Sequence, residues 1–172
     1  MSSVGLKGNA EWEGVDAKGS EITCVTFSED NNTLLSRSRD GTMKIWDTRL
    51  MMQPKKVFDN LPNDFPNTDA IFSPDEQVIL TCTSSRQAKS AAERGNLVFV
   101  NRVTLEIANQ VSVSQGSLTR LLWHPKLNQV IAGSTDNGAY VLYDPQLSKN
   151  GALLAIGRKA RRKEAADFID PT

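Results

Sequence analysis

The sequence predicts an all-β fold built from about three repeats of four short strands, on three observations. First, Asp40-Gly41-Thr42-Met43-Lys44-Ile45-Trp46-Asp47-Thr48-Arg49 joins a tight-turn dipeptide to an apolar strand ending in Trp-Asp. Asn137-Gly138-Ala139-Tyr140-Val141-Leu142-Tyr143-Asp144 repeats turn, strand and aromatic-Asp ending at the same spacing. Second, an apolar strand closed by an aromatic anchor and a polar turn occurs three times, with Phe27, Phe72 and Trp123 as anchors at intervals of 45 and 51 residues. That is near the roughly 40–45-residue period of four-stranded blades and far from the ~34 of helical arrays. Third, helix signals are nearly absent before residue 150.

Taken in order, Ile22 to Phe27 opens the first repeat, Leu35-Ser36-Arg37 precedes its turn, and Met43 to Asp47 closes it. Ala70-Ile71-Phe72 opens the second, followed by the apolar runs Val78-Ile79-Leu80 and Leu97-Val98-Phe99-Val100, with Phe99-Val100 standing in for Trp-Asp. Leu118 to Trp123 opens the third, followed by Val130-Ile131-Ala132. Runs of this kind suit strands covered on both faces, as in blades stacked face to face. Asp40-Gly41 and Asn137-Gly138 supply residues that tolerate positive φ in a two-residue hairpin. Phe27 to Asp47 spans 20 positions and Trp123 to Asp144 spans 21, which reads as one residue inserted in a turn of the third copy.

The expected architecture is therefore a partial β-propeller. Residues 1–19 form a polar leader or the end of a preceding blade. Residues 20–144 form blades at about 20–60, 61–110 and 111–144, and residues 145–172 form a linker and a short basic tail with local helix preference. A closed propeller takes 4–8 blades, so the 172 residues suggest a fragment, a ring closed by oligomerisation, or an open stack. Ser84 to Arg94 replaces the second tight turn with a Ser/Ala/Lys-rich loop.

Composition narrows the function classes. Lys plus Arg equals Asp plus Glu at 20 each, so no global field favours nucleic acid or a membrane surface. No apolar stretch reaches the ~18 residues of a membrane span, and no signal peptide begins the chain, so an intracellular, non-secreted protein is expected. Cys24 and Cys82 lie in strands of different repeats and read as free, buried thiols. With His124 the only histidine, no zinc-ligand spacing occurs. His124 sits before Pro125 at a strand end, with no nucleophile and orienting carboxylate beside it to make a general base. No Gly-rich phosphate loop is present. The expectation is a non-enzyme without cofactor, metal or small-molecule substrate.

These endings and anchors resemble WD-repeat proteins over residues 20–144. Over residues 20–172 the chain resembles more narrowly the C-terminal blades of the WD repeat-containing protein 70 (gastrulation-defective) family. That narrower likeness rests on Leu35-Ser36-Arg37, Trp46-Asp47-Thr48-Arg49, Leu61-Pro62 with Phe65-Pro66 and Thr68-Asp69, and Phe72-Ser73-Pro74-Asp75. It rests above all on Leu122-Trp123-His124-Pro125-Lys126-Leu127-Asn128-Gln129, followed by Tyr143-Asp144-Pro145 and the basic tail.

The resemblance implies a nuclear, non-enzymatic propeller that acts in chromatin regulation and DNA-damage responses as a substrate receptor of a cullin-4 ubiquitin ligase. Such receptors carry an Asp, an aliphatic residue and Trp-Asp-x-Arg, matched here by Asp40, Ile45, Trp46, Asp47 and Arg49. The arginine there pairs with the damaged-DNA-binding adaptor. The resemblance also assigns Ser36, Asp40 and Trp46 to a buried hydrogen-bond network, without the usual histidine of the preceding loop. Arg158, Lys159, Arg161, Arg162 and Lys163 read as a nuclear import signal or as a solvated tail, and lack the interleaved aromatics of a nucleic-acid site. A general scaffold in RNA processing or transport, or an incomplete fragment, are the alternatives.

Overall fold

The computed structural model describes residues 20–84, 95–148 and 150–155. The leader, residues 85–94 of the Ser/Ala/Lys-rich loop and the basic tail with Arg158, Lys159, Arg161, Arg162 and Lys163 lie outside the described residues, while Ser84, expected to open that loop, is buried and bridged to Asn63.

The described chain is all-β, in three antiparallel sheets whose strands pair in chain order. The first blade holds β1 (Ile22–Phe27), β2 (Thr33–Ser38), β3 (Met43–Asp47) and β4 (Lys56–Phe58). The second holds β5 (Ala70–Phe72), β6 (Val78–Cys82), β7 (Gly95–Asn101) and β8 (Glu106–Ser114). The third holds β9 (Leu118–His124), β10 (Gln129–Ser134) and β11 (Ala139–Tyr143). A single 3-10 turn, Gly151–Leu154, is the only helical element among the described residues.

Because each strand reverses the direction of the last, connections alternate between two ends of the stack. The lower end carries the turns after β1, β5 and β9 and the loops after β3, β7 and β11. The upper end carries the hairpin turns after β2 and β10 and the crossings from blade to blade.

The second blade is packed on both faces, which is why its strands read as continuous apolar runs. Alternation along β6 and β7 sends Ile79, Val98 and Val100 into the core with Leu35, Met43 and Ile45 of the first blade. The intervening Leu80, Cys82 and Leu97 pack with Leu118, Leu121 and Val130 of the third.

Strand register corrects the repeat alignment. Leu34 pairs with Phe27 on one side and Trp46 on the other. The corresponding Ile79 pairs with Phe72 and Val100, and Val130 with Trp123 and Leu142. The three aromatic anchors are thus equivalent, but Trp46 is matched by Val100 and Leu142 rather than by Phe99 and Tyr143. One position on a strand is the difference between its two faces. Phe99 accordingly points to the third blade, edge-on to Trp123 with ring centroids 6.3 Å apart.

The third hairpin also begins one residue earlier than its glycine suggests. Ser134 N–H donates to Gly138 O just as Ser38 N–H donates to Thr42 O. The residues at positive φ are Gly41 (83°) and Asn137 (64°), so Asp136-Asn137 is the counterpart of Asp40-Gly41. The extra residue of the third copy is not in that turn. It falls at the lower end of β11, where Tyr143 pairs with Gln129 as Asp47 pairs with Thr33, and Asp144 follows.

Candidate protein-interaction site

Asp47 ends β3 at the lower end and folds the next residues back onto itself. Its carboxylate accepts from Arg49 N–H at 3.0 Å, Nε at 2.9 Å and Nη2 at 2.7 Å. The fork holds the Asp47 carboxyl well below the usual carboxylate range and raises Arg49 in return. The Arg49 side chain remains 71% exposed. An ion pair this open contributes little to stability, but a preorganised guanidinium loses little freedom on meeting an acceptor across an interface.

The loop that carries Arg49 is fastened to its neighbour. Thr48 donates from N–H to Asn32 O at 3.0 Å and from Oγ1 to Asn31 O at 2.8 Å. The turn beneath is organised by Asp30, which accepts from Ser28 Oγ, Asn32 N–H and Asn32 Nδ2. These bonds, Ser28 first, draw the Asp30 carboxyl down to about 2. Beside Arg49, Leu50 and Met52 are exposed at 71% and 94%. Among the described residues, the exposed large apolar side chains outside strands are Leu50, Met52, Val103, Leu147 and Leu154, and all lie at the lower end.

The five residues of the adaptor-docking pattern are not brought together. Ile45 is buried between the first two blades and Trp46 is 4% exposed. Asp40 lies at the upper end, about 15 Å away along a five-residue strand at ~3.3 Å per residue. Only Asp47 and Arg49 of the set present themselves to solvent at the lower end. Within the expected blade network, Trp46 Nε1 donates to Ser36 Oγ at 3.0 Å. Asp40 serves its own hairpin, accepting from Thr42 N–H at 2.9 Å and Thr42 Oγ1 at 2.7 Å.

Two arginines, Arg37 within a string that carried the family likeness and Arg102 outside those strings, fasten the first blade to the second, a role not read from the sequence. Arg37, fully buried, donates to the carbonyls of Ser38, Thr42, Leu61, Pro62 and Cys82. Burial draws its guanidinium down to about 10, and its Nε has no partner. At the lower end, Arg102 binds the Glu76 carboxylate through Nη1 and reaches Thr33 Oγ1 at 3.3 Å and Asp30 at 3.6 Å through Nη2. Its guanidinium also lies 5.2 Å from the centroid of Phe72. The other Glu76 oxygen accepts Glu29 N–H at 2.5 Å.

Other residues of the strings that carried the family likeness form joints and turns. Asp69 accepts Leu121 N–H at 2.8 Å and pairs with Arg120, tying the second blade to β9. Gln129 holds the chain beyond β11, donating to Asn150 O and accepting from Ala152 N–H. His124 Nδ1 accepts the N–H groups of Lys126 and Leu127, which builds the turn after β9. In the third blade Asp136 accepts from Ser114 Oγ and Tyr140 Oη, both at 2.6 Å. This upper-end cluster went unread because its aspartate sits one position before the conspicuous Asn-Gly.

Three meandering sheets packed face to face, with a Trp-Ser bond in the first, define WD-repeat blades of a partial β-propeller. A family model, "WD domain, G-beta repeat", matches residues 14–47. The solved mitotic checkpoint complex contains a chain that matches with a TM-score of 0.60 and 20% identity, covering 72% of this chain and 37% of that one. The WD40 repeats of RRP9 match at 0.58 and 13%, covering 76% and 37%. At these identities the structural likeness speaks for the fold alone.

Within that class the chain resembles the WD repeat-containing protein 70 family. It is 40% identical over 88% of its length to WD repeat-containing protein 70 of Xenopus laevis, and 34% identical over 88% to gastrulation defective protein 1 homolog of Drosophila melanogaster. The chain spans about a quarter of each relative, 24% and 23%. WD repeats generally mediate protein–protein contacts, and the propeller fold is generally non-enzymatic.

Proposed function

We propose that these blades belong to a nuclear interaction scaffold and dock the damaged-DNA-binding adaptor of a cullin-4 ubiquitin ligase through the lower end. The reading makes the protein a substrate receptor in chromatin regulation and DNA-damage responses. The observation that carries it is the exposed, prealigned Arg49 fork, flanked by Leu50 and Met52. An arginine with apolar neighbours in open solvent has the composition of an interface hot spot, and methionine adapts to a partner's contour. Asp47 consumes only Nε and Nη2 of the fork, leaving Nη1 for a partner carboxylate or carbonyl.

The test is the affinity of the full-length protein for purified adaptor, wild type against Arg49→Glu. Removing one side of a desolvated charge-assisted contact costs about 2 kcal/mol or more, so an affinity loss of about thirtyfold or more is expected. Unchanged affinity would remove Arg49 from the contact and favour a scaffold that meets its partners at the upper end.

A further inference from the structure

The docking loop does not stand on the first blade alone. Arg49 follows Thr48, whose two hydrogen bonds rest on Asn31 and Asn32. Those residues belong to the turn after β1, which is gripped from the second blade at three points. Arg102 reaches Asp30 and Thr33, and Glu76 caps the Glu29 N–H. The grip is itself held, since Arg102 is paired with Glu76 and its N–H donates to Gln77 O at 3.0 Å. Both side chains are mostly shielded, Arg102 at 21% and Glu76 at 17% exposure, whereas Arg49 is open.

We propose that Arg102 and Glu76 are positioning residues for Arg49: the second blade sets the height and orientation of the docking loop through the turn after β1. The inference rests on the reading of Arg49 as a docking residue and adds what that reading lacks, namely why one arginine at a strand end points reproducibly outward. Register places Val103 where the first blade has Arg49, and Arg102 where it has Thr48. The second blade thus presents no equivalent outward fork; its arginine, one position earlier, turns sideways to hold the neighbour.

The physical content is a coupling through hydrogen bonds between blades. Without the Arg102 guanidinium, Asp30 and Glu76 lose a shared cation, and the turn is held from the second blade only by the Glu29 N–H bond to a Glu76 carboxylate that has lost its own anchor. The loop then samples more orientations, and each partner contact made by Arg49 must fix more freedom on binding. Couplings of this kind change affinity by roughly twofold to thirtyfold.

The experiment uses the full-length protein with Arg102→Met, which keeps an apolar stem over Phe72, together with Glu76→Gln, Arg102→Lys and Arg49→Glu. Arg120→Met serves as a control, since it breaks an open pair at the other blade junction. Two quantities are read: amide hydrogen exchange at Glu29 and Thr48 against that of β6 and β7, and affinity for the adaptor. The expected result for Arg102→Met is about tenfold faster exchange at Glu29 and Thr48, with β6 and β7 unchanged, and a roughly fivefold to twentyfold loss of affinity. Glu76→Gln is expected to follow in part and Arg102→Lys to recover part, while Arg120→Met matches wild type. Loss of binding in Arg49→Glu with wild-type affinity or exchange in Arg102→Met overturns the positioning role alone. Unchanged binding in Arg49→Glu overturns the docking reading and the positioning role with it. Faster exchange throughout β6 and β7 overturns the positioning role in favour of general stabilisation.

Discussion

The two blade junctions bury similar apolar side chains but fasten them differently. Between the first and second blades, Leu35, Ile45, Ile79 and Val100 are overlaid by charge: Arg37 inside, and Arg102 with Glu76 and Asp30 at the lower rim. Between the second and third, Leu80, Leu97, Leu118 and Val130 are joined by the edge-on Phe99–Trp123 pair, with Asp69 at β9 and Ser114 on Asp136 supplying polar ties at the upper end. The first junction is specified by direction-dependent bonds that accept one geometry. The second has directional bonds as well, but no arginine inside it, and its lower half rests on the shape of the Phe99–Trp123 pair. A rigid first junction lies directly beneath the exposed Arg49.

The largest effect expected from breaking this contrast is Arg37→Met. It withdraws a donor from five carbonyls: Ser38 O keeps Asn63 Nδ2, Thr42 O keeps Ser38 N–H and Pro62 O keeps Ser84 N–H, so the uncompensated loss falls on the buried contacts to Leu61 and Cys82. At about 1–3 kcal/mol per buried group left unsatisfied, a loss of about 3 kcal/mol or more is expected in denaturant unfolding of the full-length protein. A loss below about 1 kcal/mol would show that water replaces the guanidinium without penalty, contrary to the cost of buried unpaired groups.

Phe99→Ala comes next and probes the second junction. It removes a half-buried ring and its contact with Trp123, for an expected loss of about 2–3 kcal/mol, below the 3–5 typical of fully buried aromatics. Phe99→Leu should recover more than half if shape is what matters there. Equal losses for Leu and Ala would instead identify the edge-on ring geometry as the determinant.

The smallest effect concerns Cys82, which touches both junctions through its carbonyl to Arg37 and its thiol to Leu118 O at 3.3 Å. Burial pushes the Cys82 thiol up to about 12. A thiol whose folded value is raised stabilises fully below the unfolded value near 9 and loses that contribution as pH rises toward 12. Stability is therefore expected to fall across that window, and less so in Cys82→Ala. Alkylation at pH 8 should reach the half-buried Cys24 before Cys82, with mass spectrometry of the digested product as the readout; faster labelling of Cys82 would mean that the junction opens locally.

Much of this was legible from residue order. The apolar runs gave the strands of a doubly covered blade, the three aromatic anchors aligned as their pairing partners do, and the Trp-Asp-x-Arg spacing contains the exposed Arg49 fork. What misled was the aromatic character of Phe99 and Tyr143. Residue type suggested equivalence with Trp46, but the face a residue occupies is decided by pairing with β6 and β10, and that pairing places Val100 and Leu142 there. Arg37 and Arg102 were illegible for another reason. A cation in or beside a strand reads as solvated, and their acceptors lie as far as 45 and 69 positions away, beyond any local pattern. The offset Asp136 shows the same limit at short range, since a glycine draws attention to itself although Asn137 takes the positive φ.

Arg37 carries a consequence for the order of assembly. Its acceptors come from the hairpin of the first blade, the segment that crosses to the second, and the end of β6, so none of these partial structures alone can complete its donors. A first blade formed in isolation would hold a partly unsatisfied cation at what becomes its inner face, and a chain emerging from synthesis would gain little by settling that blade early. The cost disappears only when the second blade docks. Blades one and two are thus expected to form and melt as a single cooperative unit, even though repeat proteins are usually described as sums of separable neighbours.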